Sequence, residues 1–357
     1  MSKDAGSGSA PLEGIPSEPA LHAAASWLSQ GVPVVIPTET VYGLAAPARD
    51  ARAVRSVFEI KGRPQDNPLI VHVTRDAHLD EVGARLSPVA RALAREFWPG
   101  PLTLVVSGGT QLPWVTAGLD SVAVRHPAHA FAAALIDRAG PLAAPSANRS
   151  GRPSPTSARH AARDLDGRVP LVIDGGDLQH GLESTVLDVR GERPVLLRPG
   201  ALPLERLEAA CGCAIASATA HGPVRAPGMK YRHYSPRAEL WLYPVGGTPP
   251  ALRLARDADR LQRDGRRVAV LAHAEVDAER FVALPADPVS IARGLFRWLH
   301  ELDELGVDAI LVEGIAPAGV GRAVMDRLSR AATQVRLAND AAAPGDEALD
   351  SARGSLR

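Results

Sequence analysis

Apolar and polar positions along the 357 residues switch repeatedly between helical and strand periods. The stretch ALHAAASWLSQ (20–30) has helical spacing and runs into a short buried-type strand, VPVVIP (32–37). A helix over about 51–60, the strand PLIVHV (68–73) and a helix through LSPVARALAREFW (86–98) follow. Then come the strands LTLVVS (102–107) and SVAVRH (121–126), a helix at AFAAALIDRAG (130–140), and strands near LVIDGG, STVLDV and PVLLRPG. Helices and strands alternate without a tandem repeat, which predicts an α/β domain over 18–207. Residues 208–236 change character, with small residues and then APGMKYRHYSP, and are expected to be a linker. The pattern restarts as strand (AELWLYPV), helix, strand (RRVAVLAH), helix (PVSIARGLFRWLHELDELG), strand (AILVEG) and helix (GRAVMDRLSRAA). Three β-α units predict a small parallel sheet with Rossmann-like winding over 237–338. Residues 1–17 and 339–357 are rich in small residues, proline and charge, and predict disordered tails.

One segment departs from simple patterning. KGRPQDNPLIVHV (61–73) sets Lys61 and Arg63 before an apolar run, brackets the turn with Pro64 and Pro68, and interrupts the run with His72. As a strand it puts Leu69, Val71 and Val73 on one face and Ile70, His72 and Thr74 on the other. The first face reads as core and the second as the wall of a cavity.

Composition narrows the chemistry. The 40 basic residues cancel the 40 acidic ones, so net charge gives no sign of a nucleic-acid partner. Only three of those cations are lysines (Lys3, Lys61, Lys230), which singles out 61 and 230 in an arginine-rich chain. Two cysteines, Cys211 and Cys213, lack a second Cys or His pair, so neither a disulfide framework nor a zinc site is expected. No stretch reaches the ~18 continuous apolar residues of a membrane span, and the first residues lack a signal's apolar run. A cytoplasmic protein is the expectation.

Familiar motifs fail. No lysine sits in a phosphate-binding P-loop, GVGRAV (319–324) lacks the third glycine of a dinucleotide fingerprint, and no G-x-S-x-G elbow occurs. His126 and His129 have no third ligand at useful spacing, and no metal site is expected. What remains are polar residues at strand ends and turns: Thr38, Thr40 and Tyr42; Lys61, Arg63, Asn67 and His72; Arg125; Ser146 and Asn148; Thr156; Ser184; and Arg198. Each alone has an ordinary structural explanation. Together, four cations (Lys61, Arg63, Arg125, Arg198) beside apolar strands are costly to bury unpaired, and too few carboxylates lie next to them in sequence, so an anion from outside is expected.

The motifs PTETVYGLAAPA, K-G-R-P-x-x-N-P-L-I-V-H-V, FWPGPLTLVV, VAVRHP, PSAN-x-SGRPSPT, IDGG-x(5)-G-x-ESTVLDV and RPG resemble the YrdC-type domain of threonylcarbamoyl-AMP synthases. APGMKYRHYSP and the small α/β domain resemble the long form of that family, in order, over about 18–338. The resemblance implies a twisted mixed α/β domain with a basic concave cavity. It also implies synthesis of L-threonylcarbamoyl-adenylate and pyrophosphate from L-threonine, bicarbonate and ATP, with Mg²⁺ travelling with the nucleotide. The product would serve N6-threonylcarbamoylation of the adenosine beside the anticodon in tRNA, through a separate transferase. Matched motif by motif, Lys61, Arg63, Ser146 and Asn148 would act at the reacting phosphate. Thr40, His72, Arg125, Ser146 and Ser184 would hold threonine, and Asn67, Ser121, Thr156 and Arg198 would join Lys61, Arg63 and Asn148 on the nucleotide. Tyr234, or its neighbour Tyr231, would fold over the nucleotide, and Ala226 replaces a serine often found in the linker.

Two other readings compete. NRSGRPSPTSARHAARDLDGR (148–168) is basic enough for weak, salt-sensitive RNA binding, but aromatic residues for stacking make up only 4% of the chain. The related domain of hydrogenase-maturation carbamoyltransferases follows an acylphosphatase-like region and zinc-finger cysteines, whereas both cysteines here follow the domain.

Overall fold

The computed structural model describes residues 17–218, 233–246 and 249–337. The expected tails, apart from Ser17, and the linker positions Ala226, Lys230 and Tyr231 lie outside the described residues.

The first domain is built on one mixed sheet. In spatial order its strands are Val34–Ile36, Gly43–Pro47, Leu142–Ala143, Ile70–His72, Ser121–Arg125, Leu102–Gly108, Thr185–Asp188, Val195–Arg198 and Ala216–Ser217, with Ala84–Arg85 added beside Leu102–Gly108. Parallel and antiparallel pairs alternate across its centre. One face is covered by the helices Ala51–Lys61 and Pro88–Phe97, whose Val54, Val57, Phe58, Leu93 and Phe97 meet Leu69, Val71, Leu104, Val106, Val122 and Val124. Full burial of such side chains contributes roughly 1.5–3 kcal/mol each. The other face has a small apolar floor of Ile70, Val105, Ala123, Val186 and Leu197, and the site stands on it.

Local signals explain the helix that leads into KGRP. Asp50 caps it, accepting from the amides of Arg52 and Ala53 at 2.8 and 3.1 Å. Its buried stripe of Ala53, Val54, Val57, Phe58 and Lys61 follows the helical period. Gly62 ends it in the left-handed region at φ 61°, the conformation a glycine C-cap supplies. Lys61 is therefore carried inward by periodicity.

Two expectations need correction. LVIDGG is not a strand: only an isolated bridge joins Val172 to Val35. The predicted linker also opens inside the first domain, because Leu204–Cys211 is helical and Ala216–Ser217 pairs in parallel with Val195–Leu196. Gly43–Pro47 was not foreseen as a strand, since GLAAP has neither alternation nor β-branched residues.

In the second domain the strands Arg280–Ala283, Val268–Ala272, Ala309–Glu313, Glu239–Tyr243 and Gln334–Val335 form an all-parallel sheet. Helix Pro250–Arg263 covers one face, and helices Pro288–Leu305 and Gly321–Ala331 cover the other. The second of these cores also takes in Val41, Leu182 and Tyr234, which belong to the first domain and the linker's return. Charged pairs reinforce the junction: Arg152 with Asp303, Arg159 and Arg163 with Glu304, Arg322 with Glu205, and Arg327 with Glu183. His160 and His300 stack across it at 4.2 Å. Among the described residues no helix is long and apolar enough to cross a membrane.

Candidate active site

The cavity lies on the sheet face opposite the main helices, where strand register brings polar ends together. The parallel pairing of Ile70–His72 with Ser121–Arg125 sets Ile70 against Ala123 and His72 against Arg125. Alternation then turns Val71 and Val124 into the core and leaves His72 and Arg125 in the cavity. Arg198 arrives differently. Its strand pairs Val186 with Arg198 but Leu187 with Leu196, so Leu197 is an extra residue. Without this bulge Arg198 would share the face of Leu196, which is core; the irregularity re-aims it into the cavity.

Thr38, Thr40, Arg63, His72, Arg125, Ser146, Asn148, Glu183, Ser184, Arg198, His233 and Tyr234 are among the lining residues, and the space they leave is about 60 Å³. One wall is organised around Arg125. Its NH1 donates to Thr40 Oγ1 at 2.9 Å, its Nε to the Gly100 carbonyl at 3.2 Å, and its NH2 pairs with Glu39 Oε1 at 2.6 Å. Thr38 and Thr40 share a hydroxyl bond of 2.9 Å, and the hydroxyls of Thr103 and Ser184 another of 2.7 Å. Burial opposes ionisation of Glu39 most strongly, but the Arg125 charge together with hydrogen bonds from Arg125 and nearby backbone holds the carboxyl below its usual range. His72 is pushed down to about 3, first by burial and then by Arg125, and is a neutral imidazole at pH 7. Among the described residues its buried Nδ1 has no hydrogen-bond partner.

The opposite wall is cationic. Arg63 folds over its own turn, donating from Nε to the Asn67 carbonyl at 3.3 Å and from NH2 to the Pro68 carbonyl at 3.1 Å. Arg198 donates to the Ser184 carbonyl at 2.9 Å and to its hydroxyl at 3.2 Å. Burial lowers the pKa of both, Arg63 to about 10, and each feels a neighbouring cation: Arg198 for the first, Arg327 for the second. Both remain charged at neutral pH, in a site where an arriving anion relieves the repulsion. Ser146 and Asn148 flank Ala147, whose side chain is core. The Asn148 amide nitrogen donates to the carbonyls of Arg149 and Arg152 at 2.9 and 2.8 Å, and among the described residues its Oδ1 has no hydrogen-bond partner.

Lys61 stands behind this wall and does not line the cavity. Its Nζ donates to the carbonyls of Ser146 and Asn148 at 2.5 and 2.6 Å. Burial, then Arg63, pushes its pKa well below the usual lysine range, while the two short bonds favour the ammonium. Asn67, Ser121 and Thr156 are likewise buried without lining the cavity. The side-chain amide of Asn67 is unpartnered, Ser121 faces Ser107 across the sheet, and Thr156 meets His160 Nδ1 at 3.4 Å.

His233 and Tyr234 also line the cavity. Tyr234 is buried with φ 67°, a left-handed backbone costing about 1–3 kcal/mol for a bulky residue. Its ring lies 5.4 Å from Phe296 and 5.1 Å from the Arg327 guanidinium. Arg327 is fully buried and pairs with Glu183 at 2.8 Å, while Ser154 donates to the other Glu183 oxygen at 2.5 Å. Burial resists the Glu183 charge, but Arg327 and Arg198 keep its pKa below the usual range.

The sequence missed the carboxylates. The expectation that Arg125 awaits an outside anion leaves out Glu39, adjacent to Thr40, which already pairs with one of its guanidinium nitrogens; PTETVYGL held that signal. Glu183, next to Ser184, was equally legible. Arg327 was visible only as an arginine on the apolar stripe Ala323, Val324, Leu328, Ala331.

Comparison with known proteins places the chain in a family. A family model described as "Telomere recombination" matches residues 26–200, and one described as "Threonylcarbamoyl-AMP synthase, C-terminal domain" matches residues 202–333. A threonylcarbamoyl-AMP synthase of Pyrococcus abyssi is 45% identical over 314 residues, 86% of this chain and 92% of that protein. Its counterpart in Bacillus subtilis is 43% identical over 329 residues, 88% and 94% of the two chains. The crystal structure of P. abyssi Sua5 complexed with L-threonine superposes with a TM-score of 0.84 at 43% identity, covering 89% of this chain and 95% of that one.

Proposed function

The chain belongs to the threonylcarbamoyl-AMP synthase family, an enzyme family, and from that premise we propose that it converts L-threonine, bicarbonate and ATP into L-threonylcarbamoyl-adenylate, pyrophosphate and water. The observation that carries this reading is the pairing of two unlike walls in one chamber. Arg125, Thr40, neutral His72 and Ser184 suit a small hydroxylated amino acid, and Arg63, Arg198, Ser146 and Asn148 suit phosphate.

Threonine's amine adds to bicarbonate with loss of water, and the carbamate oxygen attacks the α-phosphorus as pyrophosphate leaves. No side-chain nucleophile is needed. Arg125 takes the threonine carboxylate and Glu39 keeps Arg125 oriented, while Arg63 and Arg198 offset charge on the phosphate oxygens. Lys61 acts through the Ser146–Asn148 backbone that it ties down. Among the described residues no three His, Cys, Asp or Glu side chains cluster as a metal site, and Glu39 and Glu183 are each engaged by an arginine. Magnesium would enter with the nucleotide substrate, since it dehydrates reluctantly and needs few protein ligands. Closure by Tyr234 shields the labile carbamate from water. In the cytoplasm a separate transferase would consume the adenylate to modify the adenosine beside the tRNA anticodon.

The test is mass spectrometry of reactions that omit one substrate at a time. Threonylcarbamoyl-adenylate should form only with ATP, threonine and bicarbonate together. Tight tRNA binding with no adenylate in the complete mixture would instead favour an RNA-binding module.

A further inference from the structure

We infer that Arg327, contributed by the small domain, is a positioning residue for the cavity: it holds Glu183 and the Tyr234 ring together, so that seating Tyr234 in the cavity wall and docking the small domain are one event. The kinetic part of its test rests on the proposed reaction; the rest does not. A helix that only covered its own sheet would place an apolar side chain at 327, between Val324 and Leu328. Instead the guanidinium there is fully buried. Its Nε donates to Glu183 Oε2 at 2.8 Å, its NH1 to Asp326 at 2.5 Å, and its central carbon lies 5.1 Å from the Tyr234 ring centroid.

Glu183 links this arginine to the chamber. It neighbours Ser184, whose carbonyl and hydroxyl fix Arg198, so one chain of contacts runs from the small domain to the phosphate wall. Tyr234 needs outside support because its backbone is left-handed, and beyond its chain neighbour His233 the groups against its ring, Arg327 and Phe296, belong to the small domain. Val41 and Leu182 enter the same core beside Thr40 and Glu183, so the docked domain fixes both cavity loops. A buried ion pair is a poor source of stability compared with apolar packing, and its position where lid, cavity loop and small domain meet fits registration better.

The test uses the full chain with Arg327→Met, Arg327→Lys and the double variant Arg327→Met/Glu183→Gln. Hydrogen exchange is followed in the peptide covering 233–236, where the Ser235 amide bonds to the Gly151 carbonyl at 2.8 Å, and steady-state kinetics are measured with ATP and threonine varied. Arg327→Met should exchange there on the order of tenfold faster and raise KM for ATP by a similar factor, with a smaller change in kcat. Arg327→Lys should recover part of both. Should the single Met variant fail to fold, the double variant, which removes both charges, carries the same readouts. A folded variant with parental exchange at 233–236 and parental KM for ATP overturns the inference, whatever its melting temperature. Failure of all three to fold also overturns it, since the arginine would then serve the fold alone. If the parental chain makes no adenylate, the functional reading falls while the exchange data still decide the role of Arg327.

Discussion

Arg63 and Arg198 are held by backbone carbonyls, so their charge stays directed at the cavity without being cancelled there. Replacing Arg63 with alanine should leave a folded protein whose pyrophosphate release falls by about 10²–10³-fold, as when one oriented donor is lost from a reacting centre; a parental rate would refute its role. Lys61 should behave differently. Lys61→Met leaves two buried carbonyls without a donor, at about 1–3 kcal/mol each, so both the denaturant midpoint and activity should drop. Buried histidines set the acid limit. His72, His233 and His300 have pKa values pushed down to about 3, 4 and 4, chiefly by burial. Because the unfolded chain binds those protons first, each histidine subtracts stability as pH falls from about 6.5 toward 4, by up to about 1.4 kcal/mol per pH unit. Glu39 and Glu183, with lowered pKa values, lose their own contribution only as pH falls further. Urea melts at pH 7 and pH 5 should show a clear loss at the lower value, and His72→Gln should reduce it.

At the scale of elements, the motifs sit where backbone geometry is least forgiving. A Cβ at Gly200 would stand 2.3 Å from the Thr185 amide nitrogen and 2.5 Å from the Glu183 carbonyl, so the turn after Arg198 can lie against Ser184 only with glycine. Gly200→Ala should therefore raise KM for threonine several-fold and lower the melting temperature, which kinetics and thermal scans would register together. Most long elements were legible because each carries a clean period: the amphipathic helices Ala51–Lys61 and Pro288–Leu305 and the apolar strands Leu102–Gly108 and Val268–Ala272. The inward face of Ile70 and His72 could be read from alternation alone. Short strands such as Leu142–Ala143 gave no signal, since two residues define no period. The Leu197 bulge was invisible too, because it depends on register with a partner strand distant in sequence.

For the molecule as a whole, the two domains share a core. Val41, Leu182 and Tyr234 are packed among small-domain residues, and buried or half-buried ion pairs cross the junction. Calorimetry should show one cooperative transition, not two, and Leu182→Ala should lower it by about 2–5 kcal/mol as the cavity it leaves relaxes incompletely; two resolved transitions in the parental chain would contradict a shared core. Sequence foresaw both domains but not their dependence, since nothing local says which side chain from one lobe ends in the other. The crossing of side chains between lobes has a consequence for dissecting the protein. Val41 and Leu182 leave the first lobe to complete the second lobe's core, so a fragment ending before residue 237 would present those side chains to water. Such a fragment should scatter more light than the full chain at equal concentration, the orphaned patch finding cover in another copy of itself.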